Sequence, residues 1–437
     1  MAVSFRMSAV FGGIGRALAH PTYRDYWLGN SVSSVGRWMW RTALGWLTWE
    51  LTHSPAWLGI VAFAEAAPLV AFTLFAGAIA DRVGYFRIMR ATQLAQGVLA
   101  ALFAALVVSG LITIELVLLL VLAHGVLEAA GYPARMAAVH ALVPRADLSP
   151  AIALGSTTFN GARIVGPAIA GPLILVIGVG GVIAVACASF FAFWFVLRAI
   201  KVHEAPHEGR VSRHVLADVG DGIRYMFRDR GILYLMFLAG ATGLLIRPYI
   251  ELLPAYAAQV FGRGPDGLAI LLSSIGVGAM CAGIWVAQRG RTGGLTVIVA
   301  IGAIGMAGFV LAFTAVDSIW VAAVFLALSG ACMLTNNVGA QTLLQNAVDH
   351  RMRARMLSLF VVISWGLPAL GAVTMGWAAT LVGIRPAVAG GSALAVALGL
   401  WAWRVAPRLA PVLEAIPQAI PERTAPRADH RQRDAAQ

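Results

Sequence analysis

The chain has 437 residues, of which 59% are hydrophobic and 12% charged, with a mean hydropathy of +0.80. Soluble domains carry about 25% charged residues, so a soluble globular protein is excluded. The net charge of +12 does not mark a nucleic-acid binder, because the basic residues lie between alternate apolar runs and form no basic face of folded size.

Apolar runs of about 20 residues, enough to cross a hydrocarbon core, recur along the whole chain. Predicted spans fall at 26–50, 57–80, 87–109, 114–134, 150–177, 179–198, 231–259, 266–288, 293–315, 318–341, 355–381 and 386–406. The expected class is therefore an all-α polytopic membrane protein with twelve transmembrane helices. Ahead of them, Ala17-Leu18-Ala19 looks like a cleavage site with Arg6 upstream, but the stretch 8–15 is short and glycine-broken. The N-terminus is read as an uncleaved lead-in.

One side of the predicted array carries Arg6, Arg16 and Arg24, then Arg82, Arg87 and Arg90, then Arg135 and Arg145, then Arg198 to Arg230, Arg289 and Arg291, and Arg351 to Arg355. The opposite connections hold, besides His53, only Arg263 and Arg385. This positive-inside asymmetry places both termini in the cytoplasm. Trp49 and Trp57 flank the first outer turn, where interfacial aromatics belong.

Between spans 2 and 3, Gly77, Asp81, Arg82, Gly84, Arg87 and Arg90 read as a tight basic hairpin. The connection 203–230 is polar, and Leu216, Val219, Ile223 and Phe227 recur in it at helical spacing, which predicts an amphipathic helix on the inner surface. After Pro407 the chain turns polar and proline-rich, as disordered tails do. Val143-Pro144-Arg145 is echoed by 348–351, and Gly166-Pro167 by Leu367-Pro368, each about 200 residues on. The expected organisation is a six-helix half at 1–198, a cytoplasmic linker at 199–230, a second pseudo-symmetric six-helix half at 231–407, and a tail at 408–437. Such repeats place a binding site at their interface.

An ionisable residue at membrane depth marks a pathway or a paired structural site. Spans 3, 6, 9 and 12 have none in their interiors and suit lipid-facing positions. The others carry Arg37 and Arg41, Glu65, Glu128, Arg163, Arg247 and Glu251. Arg37 and Arg41 share a helix face and need carboxylates or an anionic ligand. Arg247 and Glu251 are four apart and could pair within span 7. His124 and Glu128 share a face, and histidine titrates near neutral pH unaided. Glu65 is the first choice for a proton carrier, with Glu128 and His124 behind it; buried ion pairing is the alternative for all of these. Asn160, Asn336, Asn337 and Gln341 add hydrogen-bonding groups to the cavity set. Span 5 carries Gly166-Pro167 and Gly171-Pro172, a close-packed bend. Cys187, Cys281 and Cys332 lie within spans and give neither a disulfide framework nor a metal spacing.

Several of these stretches resemble the major facilitator superfamily of transporters. Gly77-x-x-x-Asp81-Arg82-x-Gly84-x-x-Arg87 is similar to its loop between helices 2 and 3, and Gly161 to Gly171 resembles its antiporter motif, with Pro172 where a second Gly is usual. Pro21 to Asn30, Val35 to Met39, Pro133 to Arg135, Ser156 to Pro167 and Arg247 to Pro254 resemble its enterobactin-exporter-like branch, over about residues 20–405. The resemblance implies the major facilitator fold and alternating access, with export of a small amphiphilic molecule in exchange for protons. It also implies a gate at Gly77, Asp81, Arg82, Gly84 and Arg87, and a helix-5 kink at Gly166, Pro167 and Gly171. The chain departs from the pattern at Tyr85-Phe86, at Arg37 and at 288–291, which lacks the acid of the first-half loop.

An importer or uniporter on the same fold is the alternative. An enzyme is not expected, since no metal cluster, P-loop or nucleophile motif is present. No cofactor is implied; the expected partners are a small-molecule substrate, protons and membrane lipid, with the chain acting as a monomer.

Overall fold

The computed structural model describes residues 13–202, 215–289, 292–349 and 352–415, with the backbone alone at 73–81, 215–219 and 354. The helices are α1 (Pro21–Thr52), α2 (Pro55–Val83), α3 (Tyr85–Val108), α4 (Ile114–Leu142), α5 (Leu148–Ala199), α6 (Val215–Arg228), α7 (Arg230–Leu245), α8 (Pro265–Arg289), α9 (Leu295–Thr314), α10 (Ile319–Ala347), α11 (Arg353–Val382) and α12 (Ile384–Leu413). There is no strand among the described residues.

Among the described residues, ten segments are long and apolar enough to cross a membrane, against the twelve spans predicted. The two others have identifiable reasons. α1 is 32 residues long, but its Ser, Trp and Arg residues make it less apolar. α5 contains predicted spans 5 and 6 in one helix of 52 residues. Straight, it would extend about 78 Å, more than twice a hydrocarbon core. It turns at Gly178, whose φ of 71° and ψ of 172° break the helix at a value that favours glycine.

The seventh predicted span is not a continuous helix. α7 ends at Leu245, Arg247–Ile250 is a 3₁₀ turn, Leu253–Ala255 is α-helical, and Tyr256–Val260 is a π turn. Pro248 and Pro254 explain this, since each lacks an N–H and its ring collides with the carbonyl four residues back. The freed carbonyls of Leu244 and Leu245 face glycines: a Cβ on Gly371 would stand 2.3 Å from the first, and one on Gly391 2.6 Å from the second.

The halves meet along α2–α11 and α5–α8. A Cβ on Gly59 would lie 2.1 Å from the Ala372 carbonyl, one on Gly376 2.6 Å from that of Pro55, and one on Gly171 2.6 Å from that of Pro265. These close approaches lie toward the end opposite the basic connections. In the other part of α5, Ile152 and Phe159 are exposed.

Two of the ties at the basic end close helix termini. The Arg90 guanidinium donates to the Leu197 and Ile200 carbonyls, both at 2.8 Å, capping the end of α5 where a cation is favourable. Arg90→Gln is expected to lose about 1–3 kcal/mol of stability, the usual worth of such charged hydrogen bonds. A lowered unfolding temperature would register it, while exposed Arg87→Gln leaves that temperature unchanged.

At the other tie, α12 continues past the expected boundary at Pro407, through Pro411, to Leu413. Glu414 then accepts the backbone N–H groups of Gly294, at 2.6 Å, and Thr296, at 2.8 Å, at the start of α9. Partial burial opposes its charge, but those N–H groups and Arg289 hold its carboxyl below the usual range. An acid at a helix N-terminus is favourable. The acid missing from 288–291 is thus matched at α9 by one arriving from α12. α6 docks through Tyr225 and Met226 and an Asp221–Arg355 ion pair of 3.2 Å, leaving Ile223 and Phe227 exposed.

Candidate functional site

Two glycines set α1 against α5. A Cβ on Gly36 would meet Ser189, and one on Gly166 would stand 2.4 Å from the Trp38 Cβ. With α1 held there, Arg41 reaches across the interface between the halves. Its Nη2 lies 2.7 Å from Glu251 Oε1, beyond the α7 break, and its Nε lies 3.6 Å from Glu65 Oε2 on α2. One guanidinium thus joins two carboxylates from opposite halves.

Arg247 and Glu251 do not pair with each other as helical spacing would allow. The 3₁₀ turn between them has three residues per turn, so positions four apart no longer align. Arg247 Nη1 donates instead to the Ser364 carbonyl at 2.8 Å, and its Nε is buried without a partner among the described residues.

Arg163 lies one turn from Gly166, so the close approach at that glycine brings its guanidinium to the Trp38 ring, 5.7 Å from the centroid. Arg41 reaches the same ring at 5.6 Å. Phe159 meets Trp38 edge-on at 5.8 Å. Among the described residues Arg163 has no ion-pair partner or hydrogen-bond acceptor; its electrostatic neighbours are Tyr249, Arg247, Arg41 and Glu251.

The N-terminal half contains a second polar group that sequence reasoning saw only in part. Arg37 donates to Ser33 Oγ at 3.1 Å and Ser34 Oγ at 2.6 Å. Gln93 on α3 also donates to Ser33, at 3.0 Å. Glu128 is held at one oxygen by Arg135 and at the other by Gln96, at 2.8 Å. Arg135 was grouped with the basic connections, but α4 runs through Pro133 to Leu142 and buries it. Its spacing from Glu128, two helical turns, is the sequence signal for this pair. His124 stacks on Trp40 with centroids 4.9 Å apart, and neither ring nitrogen has a partner.

In the C-terminal half, Arg247, Asn337, Met306, Met333, Phe360 and Ser364 line a cavity. Asn336 donates to the Val299 carbonyl at 2.9 Å, and Asn160 to that of Ser156 on its own helix. Gln341 is half-buried on α10. At the α2–α3 hairpin, Gly84 has a φ of 101°, which favours glycine, and Arg82 and Arg87 are exposed. The side chain of Asp81, and the surroundings of Gly77, lie outside the described residues. Gly166, Pro167 and Gly171 are buried in α5. No group of His, Cys, Asp or Glu able to hold a metal occurs among the described residues.

A helical bundle of two halves, with a bridged ion pair on their seam and polar groups facing inward, is the architecture of a membrane transporter. A family model described as transmembrane secretion effector matches residues 16–427. The chain belongs to that family, within the major facilitator superfamily, and is a transporter and not an enzyme.

It is 25% identical over 356 residues to the staphyloferrin A transporter of Staphylococcus aureus, covering 80% of this chain and 87% of that protein. It is 27% identical over 301 residues to the multidrug efflux pump Tap of Mycolicibacterium fortuitum, covering 65% and 70%. With the enterobactin exporter EntS of Shigella flexneri the identity is 25% over 367 residues, covering 82% and 85%. Among solved structures, an inward-facing, unoccupied bacterial homolog of the lysosomal transporter Spinster superposes with a TM-score of 0.70 at 13% identity, covering 91% of this chain and 99% of that one. The inward-open xylose transporter XylE of E. coli gives 0.67 at 12% identity, covering 87% and 96%. The structural likenesses establish the fold.

Proposed function

We propose that the protein exports a small amphiphilic molecule across the bacterial inner membrane by alternating access, in exchange for protons. The observation that carries this reading is Arg41 bridging Glu65 and Glu251 across the seam. Its single positive charge serves two carboxylates from different halves. A proton on Glu65 leaves a neutral Arg41–Glu251 pair and unties α2, so protonation and the relation of the halves become one equilibrium. Glu128, with both oxygens engaged, fits a structural role better.

Export is supported by the efflux pump and exporter among the relatives; the importer or uniporter reading has no observation in its favour. The hairpin of Gly77, Asp81, Arg82, Gly84 and Arg87 is assigned to gating at the basic end, with both termini on the cytoplasmic side.

The test uses inside-out vesicles whose interior is acidified, so that protons leave as the cargo enters, and three fluorescent probes: 1-anilinonaphthalene-8-sulfonate, N-phenyl-1-naphthylamine and ethidium. At least one is expected to accumulate while the gradient stands and to leak once a protonophore collapses it. Accumulation indifferent to the collapse would refute proton exchange.

A further inference from the structure

Inside the spans, the described residues place five guanidiniums, Arg37, Arg41, Arg135, Arg163 and Arg247, against three carboxylates, Glu65, Glu128 and Glu251. Charge at membrane depth is costly unless it is paired. The carboxylates are all engaged: Glu128 by Arg135, and Glu65 and Glu251 by Arg41. Arg37 is satisfied by two hydroxyls. That leaves two excess positive charges: one at Arg37, beside the Glu128–Arg135 pair, and one shared by Arg163 and Arg247, which lie with Arg41 against Glu65 and Glu251. Among the described residues Arg163 has the face of Trp38 and, without a hydrogen bond, the nearby Tyr249 hydroxyl and the Glu251 carboxylate that Arg41 already engages, which compensate a cation in part. Arg247 has one backbone carbonyl and a buried, unpartnered Nε.

We propose that this central region binds an anionic amphiphile. Arg163, with help from Arg247, holds the acidic group, and Trp38 and Phe159 provide the apolar platform. This deepens the transport reading and rests on it. A cation would meet unmatched like charge, and an uncharged cargo would leave Arg163 unpaired.

Equilibrium binding in phosphatidylcholine nanodiscs tests this without a gradient and without lipid anions. The probes are the sulfonate 1-anilinonaphthalene-8-sulfonate and its uncharged counterpart N-phenyl-1-naphthylamine, each corrected for empty nanodiscs. The full chain is expected to hold the sulfonate about tenfold more tightly. Arg163→Gln should remove most of that preference and Arg163→Lys should retain it, with unfolding temperatures read alongside. Equal affinity for the two probes in the unaltered chain, or an undiminished preference in a folded Arg163→Gln chain, overturns the proposal. If Arg163→Gln does not fold, the comparison of probes on the unaltered chain decides. Because no flux is measured, failure here leaves proton-driven export standing, and failure of export leaves the binding preference intact.

Discussion

Glu65→Gln is expected to abolish gradient-driven flux while leaving a folded chain that still exchanges its cargo passively. Gln matches protonated Glu in shape and charge, so the chain folds and rests in the proton-bound arrangement, with Arg41 paired to Glu251 and α2 untied. It cannot take up and release a proton, so the Arg41 bridge loses one of its two charge states. Reconstituted vesicles separate the outcomes: net flux driven by a proton gradient should fall at least about tenfold, equivalent to ~1.4 kcal/mol of coupling. Counterflow with no gradient should persist. Unimpaired driven flux would remove Glu65 from the proton path and turn attention to Glu251 on the same guanidinium. Loss of both fluxes would mean that the residue supports the bundle and does not carry the proton.

Much of this arrangement is legible in residue order alone. Long apolar runs and alternating Arg-rich connections define the helices, because a bilayer tolerates little else. Gly178 could be read as a turn, and the intramembrane charges pick out Arg41, Glu65 and Glu251 individually. Their grouping was less accessible. Arg247 and Glu251 look like a helical pair until Pro248 and Pro254 are given their full weight and the helix between them is broken. Arg135 lies just past the predicted span at 114–134 and so reads as a loop cation, yet the helix runs on with Pro133 inside it, as a membrane helix can when other groups take up the freed carbonyl. Gln93 and Gln96 carry no charge and so escaped a search for ionisable residues, although they complete the network around Ser33 and Glu128. Which carboxylate meets which arginine depends on helix rotation and crossing, and glycines such as Gly36 and Gly166 set these through contacts distant in sequence.

Those close approaches lead to the second large effect, at Gly59. A methyl group there would stand 2.1 Å from the Ala372 carbonyl oxygen and 2.7 Å from its carbon, and backbone cannot give way as a flexible side chain can. Gly278 poses a similar collision, 1.6 Å from the Ala327 carbonyl, but α8 and α10 belong to the same half. Substitution at Gly278 damages packing in every state, whereas α2 and α11 belong to different halves and meet closely only where this end of the bundle is shut. Gly59→Ala is therefore expected to disfavour the described state by at least about tenfold, ~1.4 kcal/mol, with the halves themselves intact. A single cysteine at Phe159, which is 46% exposed, reports the shift in a chain whose Cys187, Cys281 and Cys332 are replaced by Ser. A membrane-impermeant maleimide applied from the basic end should label it more slowly when Gly59→Ala is present. Labelling at the original rate would mean that the α2–α11 seam stays closed in both states and that the opening of the bundle lies elsewhere.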